Sequence, residues 1–173
     1  MSAHMRSVTA GISALVFAAS ILSILPWAHA DGTVKSVSQY EFWDKGKMRR
    51  RDVYDLNGKL RIGYFFRVDG TIEKMEKYNA DGNRIEEAFY DNKGGLKTGI
   101  DGWAAMRWFY GGSCLVWQVS YDESGKPLQR LVFSESGKLI DRQYRKDIDI
   151  DPYEFINTAA IIAQNREDVY GTR

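Results

Sequence analysis

Polar and apolar positions along this chain recur every twelve residues. Glycines stand at 46, 58, 70, 82 and 94, and four residues before each comes an aromatic: Phe42, Tyr54, Phe66, Tyr78 and Tyr90. Two residues after each glycine come Met48, Leu60, Ile72, Arg84 (beside Ile85) and Leu96. The register lapses over residues 97–113, then resumes at Tyr121, Gly125 and Lys126 and again at Phe133, Gly137 and Lys138. Three columns held in step over such a length are an internal repeat. Asp or Asn early and Gly late, as in Tyr54-Asp55-Leu56-Asn57-Gly58, describe a type I turn closed by a residue at positive φ. The six or so residues between turns suit one strand, and turns this short join antiparallel neighbours. The expected fold is therefore mainly β. It is an antiparallel meander of 12-residue strand–turn repeats over residues 40–144, with eight or nine short strands.

Alternation assigns faces. Leu60, Ile62, Tyr64 and Phe66 share one side of a strand, as do Leu115, Trp117, Val119 and Tyr121. Folding the chain about Asp69 sets Phe66 opposite Ile72 and Leu60 opposite Tyr78, each an aromatic–aliphatic pair. By the same count Arg50 and Asp52, with Lys74 and Glu76, fall in the middle of the inner face. The sheet is thus expected to be covered fully only in places. The break at 97–113 reads as an irregular loop, a displaced hairpin or a short helix around residues 104–106. After Tyr144 the pattern changes. Asp151-Pro152-Tyr153-Glu154 has a capping residue, a first-turn proline and an early carboxylate, which predicts one C-terminal helix over about 152–165. Phe155, Ala159, Ile162 and Ala163 would form its apolar stripe.

The first thirty residues follow a different logic. Arg6 precedes a mostly apolar stretch over 8–25, Pro26 interrupts it, and Ala28-His29-Ala30 is a small-x-small cleavage site. This predicts a signal peptide over 1–30, cleaved after Ala30, and a single β-repeat domain over 31–173 in the periplasm or outside the cell. No later segment is apolar enough to span a membrane. Cleavage removes Arg6, so the 24 Lys and Arg of the chain become 23 against 23 Asp and Glu. A neutral balance gives no reason to expect nucleic-acid binding.

The only cysteine, Cys114, allows no intramolecular disulfide, and none follows the leader to carry a lipid. Beside Leu115 and Val116 it reads as a small buried hydrophobe. Both histidines, His4 and His29, leave with the leader. The remainder then lacks the usual general base and the usual zinc ligand, so an enzyme here would rely on carboxylates. Glu86 and Glu87, as neighbours on a strand, point to opposite faces, and no catalytic set emerges. No cofactor is expected.

The segments Tyr54-Asp55-x-x-Gly58-Lys59-Leu60, Tyr78-Asn79-x-x-Gly82, Tyr90-Asp91-x-x-Gly94 and Tyr121-Asp122-x-x-Gly125-Lys126 carry a resemblance. Over residues 40–144 the chain resembles MORN-variant proteins and the YD-type β-hairpin repeats of Rhs-like shells. That resemblance implies a scaffold or binding surface. The stretch from Tyr90 to Gly99 followed by Trp103 also looks like a single choline- or glucan-binding repeat, which implies aromatic stacking on a sugar or a quaternary amine.

Three groups are candidate sites. Trp103, Trp108, Phe109, Tyr110 and Trp117 lie at or near the break in the repeat, where loops on a rigid scaffold often carry function. The same five would also fill a core beneath the terminal helix, the more favoured reading. Lys45, Lys47, Arg49, Arg50 and Arg51 form a basic run that suits an anionic surface or, more simply, a solvated edge strand. Asp147, Asp149 and Asp151 have the spacing of oxygen ligands, but no glycine follows at the calcium-loop position and Thr158 stands where a glutamate is needed. Alternation explains them: Ile148 and Ile150 inward, the aspartates outward, and no metal. The expectation is an exported, non-catalytic binding or scaffold module of the cell envelope with a protein partner. The alternative is a binder of lipid, glycan or quaternary amine through residues 103–117.

Overall fold

Each turn of the repeat closes in the same way. The computed structural model describes residues 25–28, 34–154, 156 and 158–170, with side chains at 36–44, 46–154, 156 and 158–164. In the turns at 43–47, 55–59, 67–71, 79–83, 91–95, 99–103, 122–126 and 134–138, the first residue's N–H donates to the carbonyl of the fifth. The fourth, always glycine, donates to the carbonyl of the first. Those glycines sit at φ between +73° and +87°, where a β-carbon is strained. The aspartate of the Tyr-Asp motif serves this turn directly. Asp55 Oδ1 accepts from the N–H groups of Asn57 and Lys59 at 2.9 and 3.0 Å, and Asn79, Asp91 and Asp122 repeat the arrangement. The backbone donors of Lys93 and Gly95 hold the Asp91 carboxyl below the usual carboxylate range. At 67–71, where Arg67 replaces the acid, Asp69 Oδ1 accepts from Thr71 instead.

The described residues form ten antiparallel strands in chain order, most of them joined by these turns: β1 (Leu25–Ala28), β2 (Val34–Phe42), β3 (Met48–Tyr54), β4 (Leu60–Phe66), β5 (Ile72–Tyr78), β6 (Arg84–Phe89), β7 (Ala105–Gly111), β8 (Cys114–Tyr121), β9 (Pro127–Phe133) and β10 (Leu139–Tyr144). β2 to β10 are the predicted meander. The predicted leader lies outside the described residues except for Leu25–Ala28, which pair with β2 as β1. The break at 97–113 is a repeat turn that arrives early, at 99–103, followed by the β7–β8 hairpin. Of the three expectations for this region the displaced hairpin holds. The short helix does not, since Ala105 and Met106 begin β7.

A bulge beside each tight turn decides which side chains enter the core. One residue of the returning strand has no opposite number: Arg49, Arg61, Glu73, Ile85, Val116, Leu128 and Ile140. The extra residue slips the alternation by one. Met48 and Ile72 therefore face the core, yet Arg50, Asp52, Lys74 and Glu76 do not; Arg51 and Met75 take the inner places. This corrects the even count that placed four charges inside. It also moves Leu60 away from Tyr78 to sit opposite Tyr54, while Phe66 does face Ile72. The structural unit is two repeats long. Phe42, Phe66 and Tyr90 pack on the covered face, whereas Tyr54 and Tyr78 project from the open one.

The covered face carries the core row Tyr40, Tyr64, Met75, Ala88, Ala105 and Tyr121. Ile150, Tyr153, Ile156, Ile161 and Ile162 pack against it. The terminal helix, α1 (Thr158–Tyr170), starts six residues later than Pro152. Residues 148–154 form no regular element, and Tyr153 anchors them: its N–H donates to the Gly125 carbonyl at 2.8 Å and its hydroxyl to Glu86 Oε1 at 2.8 Å. Asp151 is thus no helix cap. Within α1 it is Ile161 and Ile162 that meet the core, while Ala159 and Ala163 are exposed; Phe155 lies outside the described residues. No helix among the described residues is long and apolar enough to cross a membrane.

Two substitutions test the turn. At Asp55, alanine removes both acceptors and should cost about 1 kcal/mol in urea unfolding, by analogy with capping residues. Asparagine, native at position 79, should cost much less. Glycine to alanine at 82 and 94 meets the same positive φ, but a β-carbon on Gly94 would also collide with Thr158 Oγ1 at the start of α1, while nothing lies near Gly82. Gly82→Ala should cost about 1–2 kcal/mol, and Gly94→Ala measurably more in the same assay.

Candidate functional site

Among the described residues no element covers the second face, yet its central acids are buried. Asp52, Gly63, Glu76, Glu87 and Met106 form one lateral row across β3 to β7. Asp52, Glu76 and Glu87 are each no more than 9 % exposed, because flanking side chains lie over them. Arg50 Nε donates to Asp52 Oδ1 at 2.8 Å; Lys74 Nζ reaches Glu76 at 2.8 Å and Glu87 at 3.5 Å; Arg84 reaches Glu87 at 2.8 Å and Glu76 at 3.4 Å. Tyr78 Oη donates to Glu76 Oε2 at 2.7 Å, and burial with that bond pushes its pKa up to about 12. The cations also stack on rings. Arg50 and Lys74 flank Phe65 at 4.9 and 4.4 Å, and Arg84 lies 4.5 Å over Trp108. Gly63 is what brings two of the acids near each other: a β-carbon there would sit 3.2 Å from Asp52 Oδ1 and 4.0 Å from Glu76 Oε2.

The two neighbours titrate in opposite senses. Burial raises the Asp52 carboxyl above its ordinary range despite the Arg50 bond. Burial acts the same way on Glu76, but the bonds from Lys74 and Tyr78 and the charge of Arg84 prevail and lower it.

The aromatic margin of this face opens into a hollow of about 360 Å³ where β6 and β7 part. Ile85, Trp108, Phe109 and Tyr110 line it, with Asn79, Glu86 and Arg107. So the structure brings together three of the five predicted aromatics. Phe109 turns to the other face and stacks on Trp117 at 3.4 Å, and Arg130 lies 4.6 Å over Trp117. Trp103 stands apart, 5.3 Å from Phe89. The group is neither one core nor one pocket, since neighbours on a strand alternate.

The basic run is dispersed for the same reason. Lys47 and Arg49 are exposed, Arg49 over Trp43 at 4.9 Å; Arg50 joins the acid row; Arg51 is buried on the covered face beside Ser38 and Tyr40. Nothing is described of the Lys45 side chain. β3 lies between β2 and β4, so this is no edge strand. Asp147, Asp149 and Asp151 are exposed while Ile148 and Ile150 are half-buried, as alternation requires. Among the described residues no group of three or more His, Cys, Asp or Glu is placed to hold a metal ion. Cys114 is exposed at the tip of β8, not buried; Leu115 and Val116 lie on a hairpin that projects beyond the covering segment. Sequence reasoning missed the acid row. Its signal was the 24-residue spacing of Arg50-x-Asp52 and Lys74-x-Glu76.

No protein-family model matches this chain, and no curated protein matches it. Among solved structures it is similar to a chain of the crystal structure of accessory secretory protein 1, 2 and 3 in Streptococcus pneumoniae. The identity is 14%, the TM-score 0.36, and the match covers 78% of this chain and 25% of that one. The chain thus spans a quarter of that neighbour's length.

Acid titration separates the two carboxylates. Glu76, with its lowered pKa, adds stability above its unfolded value of about 4.3 that is lost as pH falls through the folded value. Asp52, with its raised pKa, adds stability only when protonated and loses it as pH rises through the folded value. Glu76→Gln should therefore flatten the loss of stability below about pH 4, and Asp52→Asn should steepen the fall just above it, between the unfolded value of about 3.9 and the raised folded value. Acid unfolding followed by tryptophan fluorescence checks both signs.

Proposed function

We propose that this chain is an exported, non-catalytic binding or scaffold module of the cell envelope that contacts a protein through the open face of its sheet. One observation carries the reading: a broad face that no described element covers and whose charged and aromatic side chains are already held in place by ion pairs and ring contacts. Such a surface loses little conformational freedom on contact, and Arg, Tyr and Trp are the residues that interfaces favour. Each buried acid of the row already has a cation within ion-pair distance, which suits a fixed contact surface better than proton transfer to a substrate. Export rests on the leader.

A second reading, a small-ligand binder, is favoured by the hollow, where Trp108, Phe109 and Tyr110 offer stacking surface to a sugar, lipid or quaternary amine. Quenching of intrinsic fluorescence by envelope glycans or lipids, abolished in Trp108→Ala, would support it over protein contact.

Photo-crosslinking in the producing cell tests the main reading. A benzophenone amino acid at Tyr54 or Gln118, both on the open face, should yield one discrete protein adduct. The same group at Ala159, exposed on α1, should yield none, and Lys74→Glu should weaken the Gln118 adduct. Adducts confined to Ala159, or a hydrolytic activity of the purified protein lost in Glu76→Gln, would overturn it.

A further inference from the structure

The hairpins β5–β6 and β7–β8 part before their ends. β6 and β7 share only three residue pairs, from Ala88 opposite Ala105 to Glu86 opposite Arg107. Residues 108–111 continue to pair with β8 on their other side. Past that point the ladder ends: the main-chain groups of Tyr110 toward β6, and those of Arg84 toward β7, have no cross-strand partner among the described residues. A strand edge thus opens inside the sheet, with the hollow of about 360 Å³ beside it. We propose that this fork is a β-augmentation site, and that its occupant is an extended segment of the partner protein carrying one uncharged apolar side chain. The inference deepens the protein-contact reading above and rests on it.

The chemistry of the fork selects that occupant. An unpaired strand edge offers alternating N–H donors and C=O acceptors, which another main chain complements. Residues 108–111 span roughly 13 Å, with the main chain of Tyr110 facing the gap, enough for a short extended segment. The charges around the hollow are already matched. Arg107 Nε lies 3.3 Å from Glu86, Lys77 Nζ lies 2.8 Å from the same carboxylate, and Arg84 is paired with Glu87 and stacked on Trp108. A charged guest side chain would lose its hydration without gaining a partner. Ile85, Trp108 and Phe109 instead offer apolar surface to one large apolar residue, while the flanking residues of the segment stay over solvent.

The test uses the protein as the producing cell exports it and a blocked pentapeptide probe, acetyl-Thr-Thr-Phe-Thr-Thr-amide. A second probe has the same sequence with its central amides N-methylated, which removes main-chain donors but keeps the phenyl ring. The unmodified peptide should slow amide exchange at Tyr110. It should also bind about tenfold more tightly than the N-methylated one, the effect of losing one or two main-chain hydrogen bonds. Ile85→Trp, which fills the hollow from an unpaired position, should abolish protection at unchanged Tm. Equal binding of the two peptides would mean aromatic uptake alone and would overturn the proposal. Protection confined to another strand, such as β10, or no protection at saturating peptide would do so as well. If the Gln118 adduct persists in a folded Ile85→Trp variant, the fork is not the contact site although a protein contact exists. If no adduct forms in the native chain, the parent reading fails.

Discussion

A chain that must turn back every twelve residues on a glycine at positive φ cannot keep simple alternation through its strands. The tight turn, held by an Asp or Asn side chain and closed by glycine, is followed at its third residue by a bulge. That extra residue advances the side-chain phase by one place on each returning strand. The rest of the molecule follows from this slip. It lets Met48 and Ile72 join the core while the basic–acidic pairs two residues further on turn away from it. Because the slip recurs, aromatics before the turn alternate between faces, and two sequence repeats make one structural unit.

The two faces then meet different physical demands. On the covered face tyrosines, methionine and alanines pack under residues 150–162. The one acid there, Glu86, is matched by Lys77, Arg107 and Tyr153. On the open face burial is achieved by the side chains themselves. Long cations lie across the acid row and over Phe65 and Trp108, so their aliphatic stems and charges shield carboxylates that no described element covers. The outcome is a polar surface with fixed side chains. Its one discontinuity is the early turn at 99–103, which sets β7 against β6 for only three pairs and opens the fork.

Strand number, order, turn type and the presence of a terminal helix were legible in the sequence because they depend on local spacing: Gly58, Gly70 and Gly82 with their preceding aromatics and aspartates. Faces were only partly legible. A bulge leaves no residue signature at Arg49, Arg61 or Glu73, so an even count carried Arg50 and Asp52 to the wrong side. The helix start was misplaced for a tertiary reason. Asp151-Pro152 has a helix-starting pattern, but burial of Tyr153 against Tyr121 and Glu86 keeps the segment out of the helix. The aromatics at 103–117 were correctly linked to the break in the repeat, yet Trp108 and Phe109 diverge because strand neighbours oppose each other. The acid row was visible only as an anomaly, charges where a core was expected.

The phase slip is the claim on which all of this stands, and adding one residue beside a bulge tests it most directly. Glu73 is exposed, so Glu73→Ala should change urea-unfolding stability by no more than about 0.5 kcal/mol. Inserting one alanine between Glu73 and Lys74 shifts the phase of β5 by one further place. It would drive Lys74 and Glu76 into the core and expel Met75, at a cost of several kcal/mol or loss of folding. Deleting Glu73 removes the bulge but leaves Ile72 and Met75 two places apart and both inward, and should cost far less. An insertion variant as stable as Glu73→Ala, with Met75 still buried, would contradict the account.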